Sequence, residues 1–89
     1  MNIERLAFAG TMESSDAYVE IEPAENGLTI EIDSMVKKQF GDAIKSAVLS
    51  VLDEHGVENA QVRITDRGAL ECVIRARVET AILRGKESL

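Results

Sequence analysis

The spacing of apolar residues changes once along this chain, from every second position to steps of three and four, and that change governs what it can fold into. Ala17, Val19 and Ile21 alternate with Asp16, Tyr18, Glu20 and Glu22, and Leu28, Ile30 and Ile32 alternate with Thr29, Glu31 and Asp33. Period two with one apolar face predicts two half-buried strands. Between them Pro23-Ala24-Glu25-Asn26-Gly27 combines a fixed φ with an Asn-Gly pair, which predicts a short hairpin connection. A weaker strand is expected over Ile3 to Ala9, ended by Gly10.

From Val36 the pattern is helical. Val36, Phe40, Ala43, Ile44, Ala47 and Val51 fall three or four apart, and Val48 and Leu52 widen the stripe. Ser34 is the expected N-cap, its hydroxyl accepting from amides of the first turn. Gly56 is the expected left-handed stop, with Val57 as the apolar residue that follows it. Ala60, Val62 and Ile64 then alternate as a further strand, closed by Asp66-Arg67-Gly68. Residues 69–84 fit either period. Their Ala, Leu, Glu and Arg content, with no Gly or Pro before Gly85, favours a helix supported by Glu71/Arg75 and Arg75/Glu79 pairs. The fold expected is α+β, a two-layer sandwich of a three- or four-stranded antiparallel sheet with two helices on one face.

Size and charge then limit function. With 89 residues the chain fits one domain, residues 1–89, and a fold of that size leaves little apolar area for a deep enclosed site. A net charge of −6 and 3% aromatic content argue against nucleic acid as a partner. One cysteine forms no internal disulfide and lacks metal-ligand spacing, so no metal site is expected and a reducing compartment is. The beginning lacks a signal-peptide pattern and no run is long enough to span a membrane, so a cytoplasmic location is expected. Residues 1–34 contain eight acids against Arg5 alone, a segment charge of −7, while residues 35–89, with eight acids and nine bases, carry +1. The acidic segment reads either as the solvated face of a sheet or as a surface for a partner or ligand.

Few residues carry chemistry. His55, the one histidine, suits the C-terminal end of the first helix as a cation. Cys72 lies beside an apolar stripe and reads as a small buried hydrophobe. The unusual segment is Gly10-Thr11-Met12-Glu13-Ser14-Ser15-Asp16, which places small hydroxyl residues between a glycine and a strand. It is either a plain loop or the target of a modifying enzyme that must surround a serine hydroxyl. Asp33-Ser34-Met35 is a second candidate, close to the Asp-Ser-Leu at which the usual acyl carrier proteins accept phosphopantetheine.

Three blocks, Gly10-Thr11-Met12-Glu13-Ser14, Val36 to Ile44, and Asp66 to Cys72 with Arg75-Ala76-Arg77, together resemble the citrate lyase acyl carrier protein family, the gamma subunit. The resemblance implies a carrier that is not catalytic alone. It implies 2'-(5''-phosphoribosyl)-3'-dephospho-coenzyme A joined through a phosphodiester to Ser14, with Met12 standing where the family usually has leucine. It further implies partners: the alpha subunit, which exchanges acetyl for citrate on the arm, the beta subunit, which cleaves the citryl thioester, a prosthetic-group transferase and an acetate:carrier ligase. A phosphopantetheine carrier using Ser34, a malonate decarboxylase carrier and an unmodified acidic adaptor stand as alternatives. The −7 segment is expected to repel a phosphate-bearing arm and hold it outward.

Overall fold

The computed structural model describes residues 3–34 and 37–86, with backbone alone at 37–40. In chain order it contains β1 (Ala7–Gly10), β2 (Ala17–Glu22), β3 (Leu28–Ser34), α1 (Lys37–Glu54), β4 (Ala60–Asp66) and α2 (Glu71–Gly85). Both α1 and α2 cover one face of the sheet, and between sheet and helices lies a core that includes Val19, Ile21, Val62, Ile64, Val48, Leu52, Val78 and Ile82. This is the expected α+β arrangement.

The sheet differs from expectation in one respect: it is mixed. Its order is β1-β2-β4-β3, with β1–β2 and β2–β4 antiparallel and β3–β4 parallel. The hairpin expected between β2 and β3 is therefore not formed, because β4 lies between them. Alternation reports which face of a strand is buried, and that face is the same whether or not a third strand intervenes. Residues 23–27 have only to bridge two strand spacings, about 10 Å, which five residues cover easily. Gly27 anchors the crossing at its far end: its amide donates to Asn59 Oδ1 at 2.7 Å and its carbonyl accepts from Ala60 at 3.1 Å. The parallel β3–β4 pair needs a crossover, and α1 is that crossover. The hairpin that does form joins β1 to β2 through residues 11–16.

At the end of α1 the expected stop is present. Gly56 has φ 67°, Val57 N–H donates to Leu52 O at 2.9 Å and Gly56 N–H to Asp53 O at 3.0 Å, and Val57 is buried. This is a Schellman motif with its apolar contact residue in the core. α1 begins at Lys37, but residues 35 and 36 and the side chains through residue 40 lie outside the described residues, and with them the Val36 position, the Phe40 side chain and the first-turn contacts of the expected Ser34 cap.

Residues 71–85 are helical, as their composition favours. Arg75 and Glu79 face tertiary instead of local partners: Arg75 bonds Glu54 of α1 at 2.8 Å, and Glu79 lies 4.0 Å from His55 Nε2. Cys72 contradicts its expectation, being exposed. The buried face of α2 is Ile74, Val78, Ala81, Ile82 and Gly85, and at 3.6 residues per turn a position two before Ile74 points to the opposite side. Iodoacetamide should therefore label Cys72 once in the native protein, within a few-fold of the rate in urea, as read by intact mass; protection in the native state would contradict this placement.

Candidate functional site

The loop between β1 and β2 begins with a backbone that only glycine can supply. Gly10 has φ 90°, and a Cβ there would run into the carbonyl oxygen of Ala17. The chain then closes a turn over Glu13, Ser14, Ser15 and Asp16, with Asp16 N–H donating to Glu13 O at 3.2 Å. Ser15 is the one described non-glycine residue with positive φ, 68°, so the turn has the type II pattern with Ser14 at its first corner. Ser15 N–H donates to Arg67 O at 2.8 Å and Arg67 N–H to Asp16 O at 2.9 Å. Two residues thus oppose one, with the first left-handed, which is a G1 bulge on β2 facing the end of β4.

Asp16 holds this loop to the rest of the fold. Its Oδ2 accepts from Thr11 Oγ1 at 2.7 Å and Thr11 N–H at 3.1 Å, and its Oδ1 accepts from Ala17 N–H at 2.7 Å. Arg77 of α2 grips both oxygens, Nε at 2.9 Å and a terminal nitrogen at 3.1 Å. Thr11 Oγ1 also accepts from Glu13 N–H at 3.2 Å. The Arg77 hydrogen bonds first, then those from Thr11 and Ala17, hold the Asp16 carboxyl far below the ordinary carboxylate range. Ser14 itself is exposed, and none of the loop's side-chain hydrogen bonds engages its hydroxyl. The result is an accessible hydroxyl on a turn clamped from both sides.

A pH dependence follows, with its sign set by the depressed pKa. Ionised Asp16 stabilises the fold fully above its ordinary value of 3.8, and that contribution is lost as pH falls below it toward the folded value. Asp16→Asn should leave a melting curve that no longer carries this proton: Tm should fall less steeply with acid below about pH 4 than in the parent. Equal slopes in calorimetry would exclude the clamp as the cause.

The other sequence candidates lie elsewhere. Ser34, at the end of β3, is half-buried and donates to Asp66 Oδ2 at 2.8 Å. Asp66 is buried, and its Oδ1 accepts from Gly68 N–H at 3.1 Å and Ala69 N–H at 2.9 Å, so Ser34 belongs to the lock on the β4–α2 turn. Two surface grooves have volumes of about 380 and 400 Å³, and neither is lined by Ser14, His55 or Cys72. Among the described residues no group of His, Cys, Asp or Glu has the arrangement to hold a metal ion, and no helix is long and apolar enough to cross a membrane.

The acidic segment divides in three dimensions. Glu20, Glu22 and Glu31 gather round Arg63 on the open face of the sheet at 3.2, 3.2 and 3.6 Å, and Asp16 is paired with Arg77. Near Ser14 the exposed charged groups include Glu13 and, across the bulge, Arg67. Arg63 and Arg77, both outside the acidic segment, thus offset part of its −7.

Residues 4–85 match the family model described as malonate decarboxylase delta subunit (MdcD), of the ACP family. The citrate lyase acyl carrier protein of Escherichia fergusonii is 51% identical over 98% of this chain and 91% of its own. That of Vibrio cholerae serotype O1 is 53% identical over 94% and 87%, and that of Halothermothrix orenii 45% over 98% and 93%. A crystal structure of a protein from Thermus thermophilus has the same fold, with a TM-score of 0.69 at 10% identity over 94% of this chain. The chain spans 16% of that protein's length, so the likeness concerns the fold alone. The family model and the relatives define one class, the acyl carrier proteins. Within it, the chain belongs to the citrate lyase acyl carrier protein family.

Proposed function

We propose that residues 1–89 form the single acyl carrier domain of a cytoplasmic citrate lyase, with 2'-(5''-phosphoribosyl)-3'-dephospho-coenzyme A attached through a phosphodiester to Ser14. The observation that carries this reading is the exposed Ser14 hydroxyl at the corner of a turn clamped by Asp16, Thr11 and Arg77. When bound, the group supplies a terminal thiol that holds acetyl or citryl as a thioester. The chain's own residues present the hydroxyl, hold the loop against α2 and leave the approach uncrowded for a transferase. Tethering makes each encounter with the alpha and beta subunits effectively intramolecular, at local concentrations of roughly mM.

A malonate decarboxylase carrier is the second reading, favoured by the description of the matching family model. Attachment through Ser34 is opposed by its bond to buried Asp66. Intact mass of the carrier isolated with its maturation enzymes tests the proposal. The increment of the phosphoribosyl dephospho-coenzyme A group should appear, and it should vanish in Ser14→Ala and persist in Ser34→Ala. An increment that follows Ser34, or none at all, would overturn it. Acetyl-for-citrate exchange with purified alpha subunit separates the citrate lyase from the malonate decarboxylase reading.

A further inference from the structure

We propose that Arg67 is the residue of this carrier that pairs with the phosphate joined to Ser14, drawing the first part of the arm over the β4–α2 turn. The inference rests on attachment at Ser14 and goes beyond it by assigning a phosphate contact on the carrier itself.

The backbone places Arg67 directly opposite the turn. Its carbonyl accepts from Ser15 and its amide donates to Asp16, so its position relative to Ser14 is held by two hydrogen bonds of 2.8 and 2.9 Å. Cα atoms paired across such a ladder are about 5 Å apart, and Ser14 is one Cα step, about 3.8 Å, from Ser15. An extended arginine covers that separation.

Of the five arginines in β4, α2 and the turn between them, Arg67 is the one left over. Arg63 bonds Glu20 and Glu22, Arg75 bonds Glu54, Arg77 bonds Asp16 and Arg84 bonds the carbonyl of Phe8. Arg67 is exposed, and its guanidinium has no partner among the described residues. Arg77 is nearer the heart of the loop, but both oxygens of Asp16 hold it. A planar guanidinium suits a phosphate because it offers two parallel donors. Beside Arg67 the turn is open: apart from its chain neighbours, nothing lies within 4 Å of where a Cβ on Gly68 would stand. Glu13, the exposed acid beside Ser14, faces the same phosphate with the opposite effect, so the arm is steered away from Glu13 and toward Arg67.

The test compares apo and loaded carrier, with intact mass first establishing that Ser14 bears the group. In nitrogen-15 spectra the Arg67 Nε–Hε resonance, assigned by its loss in Arg67→Gln, should shift on loading while those of Arg63 and Arg75 stay in place. The Tm gain of loaded over apo carrier at low salt should shrink as ionic strength rises past the point where the Debye length is about 8–10 Å. That salt-dependent part should be absent in Arg67→Gln and partly kept in Arg67→Lys. An unchanged Arg67 resonance on a carrier whose Ser14 is loaded would overturn the inference and leave the attachment reading intact. A mass with no group on Ser14 would overturn both.

Discussion

Ser14→Ala should give a carrier that folds as the parent does and is never loaded. The side chain is exposed and its hydroxyl enters none of the bonds that hold the loop, so unfolding in urea should change by no more than about 0.5 kcal/mol. The mass increment should disappear altogether, and reconstituted lyase turnover should fall to the level without carrier. Ser15 is the necessary control, because it is the adjacent hydroxyl. Its φ of 68° is unfavourable for serine and natural for glycine, so Ser15→Gly should keep the increment and gain up to about 1 kcal/mol in stability. Loss of the increment in Ser15→Gly with its retention in Ser14→Ala would transfer the site to Ser15. Ser34→Ala should cost about 1–2 kcal/mol by removing a partner of buried Asp66 and leave loading untouched.

The second large effect is structural. Gly10→Ala should destabilise by about 3 kcal/mol or more, since positive φ alone strains alanine and its Cβ meets the Ala17 carbonyl oxygen, with the Ala17 carbonyl carbon at 3.0 Å. Neither neighbour can move freely: Ala17 is fully buried and pairs with Asp66 across β2–β4. For a domain of 89 residues, total stability is on the order of 4–13 kcal/mol, so this one methyl group removes a large share of it. Gly27→Ala is the matched comparison. Gly27 has a similar φ of 82° but nothing within 4 Å of a Cβ, so its cost should be only the backbone strain, about 1 kcal/mol. Equal losses at the two positions, read from urea titrations, would show that the close approach to Ala17 contributes nothing.

Much of the fold was legible because it depends on near neighbours in the chain. Strands β2, β3 and β4 and helix α1 follow from apolar spacing, and the Gly56–Val57 stop follows from a glycine that can take positive φ. Cys72 departs from its expected burial although the signal is in the sequence: projected at about 100° per residue, it lies opposite Ile74 and away from the core. Ser14 stood out by its motif and by its hydroxyl-rich loop. What locks that loop did not, since Arg77 is 61 residues from Asp16 and nothing in the spacing of either predicts their meeting. Arg67 likewise lay inside a recognised block with no role until the bulge placed it across from Ser15.

The sequence by itself determined that β2, β3 and β4 are strands and α1 a helix, which faces they bury and which loop gathers the small hydroxyl residues. Tertiary structure alone decided that β4 lies between β2 and β3, and that four of the eight acids of the first third are shared between Arg63 on the open face and Arg77 at the loop. The reason is the same in both cases. Periodicity is a property of one segment and reports a buried face, whereas strand order and local charge depend on which distant segments the shared core brings side by side.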